Sequence, residues 1–355
     1  MDVSTKILPS RDEMLRAFQA SDASYDGVFV TGVRTTGIFC RPSCPARKPL
    51  SRNVEFFGSA QAAMVAGYRP CKRCGPLEPA GRRPEWVERV LTRIDKNPAG
   101  RFTASELREV GVAAGRARRW FMANYGITFA AYCRGRRLTA ALTAIRDGAA
   151  IDDAVFDSGY ESHSGFREAF ARWFGVPPGR AAVVDPILVT RIESPLGPLI
   201  AGASERGICL LEFTDRRTLE GQLETIRSRF QRAFAPGENV HVIQLRAELA
   251  EYFAGRRKAF ETPLEYPGTD FQMQVWRELL RIPYGQTRSY QDLAKAVQSP
   301  DAGRAVGRAN GMNRIAILIP CHRVIGKDGT PVGYAGGLWR KRWLLDHERA
   351  ISRKG

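Results

Sequence analysis

Hydrophobic positions along this chain change several times between helical and strand-like spacing. Between Pro84 and Pro98, apolar side chains recur at helical spacing, and a long helical stretch covers residues 129–147. Short strand-like runs are predicted at residues 187–192, 199–203 and 208–213. Further helices are predicted at residues 219–230, 271–281, 290–297, 301–311 and 340–350. This order predicts an α+β chain with several domains.

The middle of the chain contains two predicted helix-turn-helix units. In the first unit, Ser105 begins a helix, Gly111 marks the turn, and a basic helix follows. In the second unit, residues 151–156 and 162–174 flank a turn at Gly159. The candidate DNA contacts on the two basic helices are Arg116, Arg118, Arg119, Ser162, His163, Ser164 and Arg167. Phe166, Phe170 and Phe174 recur every four residues and are assigned to the core.

Charge points to a polyanionic partner. The 355 residues include 54 Lys and Arg against 37 Asp and Glu, a net charge of +17. Only residues 181–265 are near neutral, with 11 basic against 12 acidic residues. An electropositive surface of this kind is typical of nucleic-acid-binding proteins. No apolar run is long enough for a membrane helix, and the N-terminus lacks a signal-peptide pattern, so a cytosolic protein is expected.

Four of the seven cysteines form two close pairs. Cys40 and Cys44 are separated by three residues, and Cys71 and Cys74 by two. Two such pairs can surround one zinc ion tetrahedrally. Disulfides are the less favoured alternative, because a cytosolic compartment keeps thiols reduced. Cys133 lies in a helical run and Cys209 in a strand-like run, and both are assigned to the core.

A further cysteine, Cys321, lies beside His322 directly after an apolar run at residues 315–319. That run is interpreted as a buried strand or core segment, and Pro320 ends regular structure. A neighbouring base favours the reactive thiolate form of cysteine. Cys321 is therefore a candidate nucleophile, and an inert buried cysteine is the alternative.

Residues 317–325, together with residues 283–287 and 289–294, resemble the active-site motifs of O6-alkylguanine-DNA alkyltransferases, and the resemblance extends over residues 187–350. It implies that Cys321 attacks the alkyl carbon of a flipped guanine, and that His322 acts as a base through water, oriented by Glu348. The other roles that it implies are the following: Asn313 braces the active-site turn, Tyr290 helps protonate the leaving guanine, Arg304 fills the vacated stack, the carbonyls of Cys321 and Val324 accept from the guanine amine, and Tyr334 borders the pocket. Ala335 stands where some relatives carry serine.

Two more resemblances concern the N-terminal half. Residues 37–44 and 66–74 resemble the metal-binding domain of Ada-type proteins. That resemblance implies one zinc ion held by Cys40, Cys44, Cys71 and Cys74, with Cys40 accepting a methyl group from a methylated DNA phosphate. Residues 158–179 resemble the AraC-type helix-turn-helix signature.

Together these resemblances predict a multidomain α+β protein. The expected parts are a zinc-binding α/β domain (1–80), a helical double helix-turn-helix domain (84–182), an α/β subdomain (186–265) and a winged-helix-like alkyltransferase domain (266–352). The expected partner is double-stranded DNA, both alkylated and promoter DNA. RNA polymerase is left open as a second partner, and a monomer associated with the nucleoid is expected. The alternatives are an AraC-type regulator with an inactive transferase domain and a hydrolytic cysteine enzyme.

Overall fold

The computed structural model describes residues 8–78, 80–81 and 83–353, which form two compact units. The first unit comprises Met1–Arg82 and Gly333–Trp343, and the second comprises Arg83–Val332 and Leu344–Gly355. The predicted multidomain α+β class is confirmed, since helices and sheets occur in both units. The first six residues, where a signal-peptide pattern was sought, lie outside the described residues. None of the described helices is long and apolar enough to cross a membrane.

The first unit is built around a four-stranded sheet. Its elements are α1 (Arg11–Gln19), β1 (Val30–Val33), β2 (Ile38–Cys40), β3 (Val54–Phe57), α2 (Ala60–Val65) and β4 (Arg69–Pro70). The strand order is β3-β1-β2-β4; β1 is antiparallel to both β2 and β3, whereas β2 and β4 are parallel. Trp339, from the second stretch of this unit, packs on the apolar cluster formed by Met14, Tyr25 and Phe29, and its indole donates to the Ser24 carbonyl at 2.6 Å.

The second unit opens with six helices. They are α3 (Glu85–Lys96), α4 (Ala104–Glu109), α5 (Ala114–Tyr125), α6 (Phe129–Arg146), α7 (Ile151–Asp157) and α8 (His163–Phe174). We call α4 and α5 the first helix-turn-helix unit, and α7 and α8 the second. Gly111 and Gly159 occupy the two turns with positive φ of 74° and 71°, a backbone region that glycine adopts without steric cost.

A four-stranded sheet follows, with elements β5 (Ile187–Ile192), β6 (Leu199–Ser204), β7 (Gly207–Phe213), α9 (Leu219–Phe230), β8 (Phe234–Pro236) and α10 (Val240–Phe253). The order is β7-β6-β5-β8; β5 pairs in parallel with β8, and the other pairs are antiparallel. The three predicted strands agree with β5, β6 and β7 to within one residue at each end. The predicted elements did not include β8 or α10.

The last part of the chain carries the candidate nucleophile. Its elements are α11 (Asp270–Leu280), β9 (Arg288–Ser289), α12 (Tyr290–Ala296), α13 (Gly303–Gly311), β10 (Val324–Ile325) and α14 (Leu338–Ser352). Residues 315–319 are buried but form turns, with one isolated bridge from Ile315 to Leu211. Of the two interpretations of this run, the buried core segment is therefore confirmed and the strand is wrong. Ile317 has a φ of 73°, a strained conformation for a β-branched residue.

Candidate functional site

The candidate nucleophile begins a one-turn 3₁₀ helix, Cys321–Arg323, that follows the buried turn segment. Cys321 is 7% exposed, and its amide donates to the Ile319 carbonyl at 2.8 Å. Its carbonyl accepts the Val324 amide at the end of the turn, and Val324 is fully buried in β10. These backbone bonds fix the direction of the Cys321 side chain.

Glu348, on α14, accepts hydrogen bonds from groups on four residues. His322 Nε2 lies 2.8 Å from its Oε1, and Arg323 bonds both carboxylate oxygens at 2.9 and 3.0 Å. The Tyr252 hydroxyl and the Gly285 amide donate to it at 2.8 and 3.0 Å. Burial by itself raises the pKa of Glu348, but the hydrogen bond from His322 and the bonds and charge of Arg323 outweigh burial and hold that pKa well below its ordinary value. The carboxylate is therefore ionised and accepts the Nε2 proton of His322.

Asn313 connects the turn segment to the nucleophile. Its Nδ2 lies 3.1 Å from Cys321 Sγ and 2.9 Å from the Ile319 carbonyl, and its Oδ1 accepts the Ile315 amide at 3.0 Å. The amide therefore touches both the sulfur and the backbone that carries it. The bracing role that the resemblance implies for Asn313 stays a prediction.

Two buried polar side chains from residues 187–266 bind the Asn313 carbonyl and hold this residue in place. Arg216 Nη1 and Gln222 Nε2 donate to the Asn313 carbonyl at 3.1 and 3.2 Å, and Arg216 also forms a buried ion pair with Glu212. Sequence reasoning missed these residues, as it missed Tyr252 and the role of Arg323. Arg323 was visible as the residue after His322, whereas the contacts of Tyr252 and Arg216 cross 96 and 97 positions.

The remaining predicted transferase residues occupy different settings. Tyr290 opens α12, and its hydroxyl donates to the Val332 carbonyl at 3.4 Å. Burial, followed by the charge on Cys321, raises its pKa, so the phenol stays protonated. Arg304 is exposed on the first turn of α13. Tyr334 is half-buried and belongs to the Gly333–Trp343 stretch of the first unit, and Ala335 beside it is exposed.

The four N-terminal cysteines come together at one end of the first sheet. Their ligand atoms all lie within 4.8 Å of one another. The parallel pairing of β2 with β4 places the end of β2 at Cys40 beside the start of the turn at Cys71, whose amide donates to the Phe39 carbonyl at 3.0 Å. The hydrogen bond to Cys74, and burial after it, raise the pKa of the Cys40 thiol, so a thiolate there needs a neighbouring cation. Four sulfurs at this spacing fit one Zn²⁺ ion.

The predicted DNA contacts lie on both basic helices. Arg118 and Arg119 are exposed on α5, and Arg116 holds its guanidinium 5.5 Å from the ring centre of Trp86. At the start of α8, the Ser162 hydroxyl accepts the Gly165 amide at 3.2 Å, and His163 Nδ1 lies 3.2 Å from Asp152. Arg167 and Ser164 are exposed on the same helix. Phe166 and Phe170 are fully buried and Phe174 is half-buried, which agrees with their predicted core role.

Comparison with protein families identifies the class of protein. Residues 13–76 match the metal binding domain of Ada, and residues 107–182 match a helix-turn-helix domain. Residues 187–266 and 270–350 match the ribonuclease-like domain and the DNA binding domain of 6-O-methylguanine DNA methyltransferase. The class is thus a methylguanine methyltransferase joined to an Ada-type metal-binding domain and a helix-turn-helix domain.

Whole-chain relatives narrow this class to one family. The Escherichia coli bifunctional transcriptional activator/DNA repair enzyme Ada is 34% identical over 95% of this chain and 96% of its own length. The Salmonella typhimurium regulatory protein ada is 34% identical over 97% of this chain and 98% of its own length. A crystal structure of Mycobacterium tuberculosis O6-methylguanine methyltransferase, 42% identical, covers 46% of this chain and 94% of that chain with a TM-score of 0.40. The chain belongs to the Ada family of bifunctional transcriptional activator/DNA repair enzymes.

Proposed function

We propose that this protein repairs alkylated DNA by moving the methyl group of O6-methylguanine onto Cys321, in a reaction that occurs once per molecule. The observation that carries this function is the arrangement around the sulfur. An amide of Asn313 lies 3.1 Å from Cys321 Sγ, and the next residue, His322, is bonded to a buried, ionised Glu348. A nucleophile followed by a base and its orienting carboxylate is the arrangement that activates a cysteine.

The proposed reaction begins with a flipped guanine, because its O6 atom lies inside the base stack. Arg304, exposed on α13, takes the place that the base leaves. Since Glu348 accepts the Nε2 proton of His322, Nδ1 is the ring nitrogen that takes the Cys321 thiol proton through a water molecule. The sulfur then forms a bond to the methyl carbon while the bond from that carbon to O6 breaks. The protonated phenol of Tyr290 supplies the proton that the leaving guanine needs, and the carbonyls of Cys321 and Val324 accept hydrogen bonds from the guanine amine.

The second proposed transfer takes a methyl group from a methylated DNA phosphate to Cys40. Cys40, Cys44, Cys71 and Cys74 hold one zinc ion, which when bound keeps the four sulfurs as thiolates. Cys40 forms the new S–C bond, and the phosphate diester leaves with its negative charge. Methylation removes one negative charge from the cysteine cluster, which lowers its repulsion of DNA phosphates.

Regulation follows from the helix-turn-helix units. The methylated protein binds promoter DNA through Arg116, Arg118, Arg119, Ser162, His163 and Arg167 and activates transcription of repair genes, with RNA polymerase as partner. It acts as a cytosolic monomer at the nucleoid. The domain boundaries that we propose are 1–80, 84–182, 186–265 and 266–352.

Intact-protein and peptide mass spectrometry tests both transfers. The full chain is incubated with duplex DNA that carries O6-methylguanine and methylphosphotriesters, and Cys321→Ser and Cys40→Ser variants serve as controls. One methyl group on each of the Cys321 and Cys40 peptides is expected, and each variant should lose only its own. Methyl on neither peptide of a folded, zinc-loaded protein would favour an AraC-type regulator with an inactive transferase. Repeated turnover would favour a hydrolase.

A further inference from the structure

One apolar cluster joins the first helix-turn-helix unit to the sheet of the transferase region. It includes Val112, Ala117 and Phe121 of this unit or its turn, and Ile187, Val189, Ile200 and Leu210 of the sheet strands, all at most 2% exposed. The second helix-turn-helix unit packs differently. The buried members of its cluster are Leu138, Ala141, Leu142, Ala154, Val155, Phe166, Phe170, Ala181 and Val184. All of these come from α6, α7, α8 and the turn that follows.

A buried arginine of the sheet bonds directly to the basic helix of the first unit. Arg191, on β5, is 2% exposed, and its Nη1 donates to Asn124 Oδ1 of α5 at 2.7 Å. Its guanidinium lies 5.8 Å from the ring centre of Trp120, also on α5. Glu193 balances its charge, with Oε1 and Oε2 each 3.1 Å from an Arg191 nitrogen. A buried guanidinium is stable only with such partners. The side of α5 that carries Trp120 and Asn124 therefore packs against the sheet.

Close backbone approach fixes the adjoining helix as well. Gly135 lies inside α6, where a Cβ atom would stand 2.6 Å from Pro236 Cδ of β8 and 2.9 Å from the Trp173 ring. Arg227 of α9 donates to the carbonyl of Gly126, the residue directly after α5, at 2.6 Å. The contacts at Gly135 leave no room for a side chain between α6 and β8, and the Arg227 bond joins the end of α5 to α9.

We propose that the sheet β5–β8 is the docking surface of the first helix-turn-helix unit, so that α5 and the sheet fold and open as one cooperative body. Docking leaves Arg118 and Arg119 on the exposed side of α5. The transferase sheet thereby places these two arginines for contact with DNA phosphates. This last consequence rests on the proposed DNA-binding function, whereas the docking does not.

Hydrogen exchange measured by mass spectrometry on the full chain tests the docking. Arg191→Met removes the bond to Asn124 and the contact with Trp120. We expect amide exchange in both α5 and β5 peptides to become about tenfold faster or more, with little change in α8. Arg314→Met is the matched control, because Arg314 is also a buried arginine, 5.2 Å from a tryptophan ring centre, and donates to the Pro267 carbonyl. It should leave α5 exchange unchanged.

Faster exchange in β5 with unchanged exchange in α5 would overturn the proposal, as would an equal effect of the two variants on α5. Methyl transfer to Cys321, measured on the same samples, reports on the proposed function separately. A protein that transfers no methyl group to Cys321 can still show faster amide exchange in both α5 and β5. A protein that lacks this coupled exchange can still transfer the methyl group.

Two glycine substitutions give a second, independent measurement. Alanine normally stabilises a helix relative to glycine. Gly115 of α5 has only Arg119 Nη1 near its Cβ position, at 3.6 Å, so Gly115→Ala should raise the melting temperature. Gly135→Ala should lower it, because the new methyl group meets Pro236 of the sheet and the Trp173 ring of α8. A rise in melting temperature for Gly135→Ala would mean that α6 does not pack closely on β8, and the exchange result for Arg191→Met would then decide the docking of α5 by itself.

Discussion

Glu348 shows how single residues set the chemistry of the candidate site. Its carboxylate is fully buried, yet it is ionised, because His322, Arg323, Tyr252 and the Gly285 amide all donate to it. An ionised carboxylate orients the histidine and also compensates the buried charge of Arg323. One side chain therefore contributes to stability and, in the proposed reaction, to reactivity.

Glu348→Gln is expected to destabilise the protein by about 3–5 kcal/mol at neutral pH, because it leaves Arg323 buried without a counter-charge. The depressed pKa of Glu348 adds a pH dependence. A group whose pKa is lower in the folded state contributes stability at pH values above its ordinary pKa of about 4.3 and loses it as the pH falls. The free-energy difference between wild type and Glu348→Gln should therefore shrink below that pH in urea titrations.

Glu251→Gln is the matched control for this prediction. Glu251 also pairs with an arginine, Arg257, at 2.7 Å, but its side chain is 44% exposed. Exposed pairs are worth about 0–1 kcal/mol, so the control should be nearly neutral at every pH. Similar losses in the two variants would contradict the buried-charge argument.

Tyr290→Phe tests the proton donor. The raised pKa of Tyr290 keeps its phenol protonated, and Phe keeps the ring without the proton. Loss of a general acid costs about 10²–10⁴-fold in rate, so the single-turnover rate of Cys321 methylation should fall by at least about a hundredfold. Tyr266→Phe, which alters another half-buried tyrosine packed edge-on against Trp276, should leave the rate unchanged. An unaffected rate in Tyr290→Phe would exclude it as the donor.

At the scale of elements, the helix-turn-helix units differ in how their basic helices begin. Ser162 caps α8 by accepting the Gly165 amide, whereas Ala113 precedes α5 and offers no side-chain cap. The sequence explains this contrast, because no serine, threonine, asparagine or aspartate stands directly before α5. Uncapped amides at a helix start lower its stability.

Substitutions at the two cap positions should change the free energy of unfolding in opposite directions. Ser162→Ala should lower the free energy of unfolding by about 1 kcal/mol, and Ala113→Ser should raise it by about 0.5–1 kcal/mol. Chemical denaturation without DNA measures both variants. The same sign of effect in the two variants would show that capping does not decide the stability of these helices.

The elements also show what a sequence can and cannot predict. Strands β5, β6 and β7 follow from short apolar runs bounded by turns, and zinc-ligand spacing identified Cys40, Cys44, Cys71 and Cys74. The run at residues 315–319 has the composition of a strand, but its backbone turns at Ile317, held by Asn313 and by long-range packing. No local pattern reports such tertiary constraints. For the same reason, Tyr252 and Arg216 could not be assigned to the site.

At the scale of the whole molecule, the two proposed methyl acceptors belong to different compact units. Cys40 lies in the first unit, whereas Cys321, His322, Asn313 and Glu348 all lie in the second. A structural zinc ion contributes about 10–16 kcal/mol in small domains, so the first unit should depend on it for folding. The second unit is built on its own apolar clusters and contains no residue of the four-cysteine site.

Zinc removal should therefore separate the two proposed activities. After chelation, the Cys40 peptide should take up no methyl group, while Cys321 methylation should continue, because its proposed nucleophile, base and bracing amide are all in the second unit. Cys71→Ala should give the same result without a chelator. Cys133→Ala, which alters a buried cysteine outside the cluster, should retain one zinc ion per chain and both transfers. If Cys321 methylation disappeared together with the zinc ion in Cys71→Ala, the transferase site would need the folded first unit, and the independence of the two acceptors would be wrong.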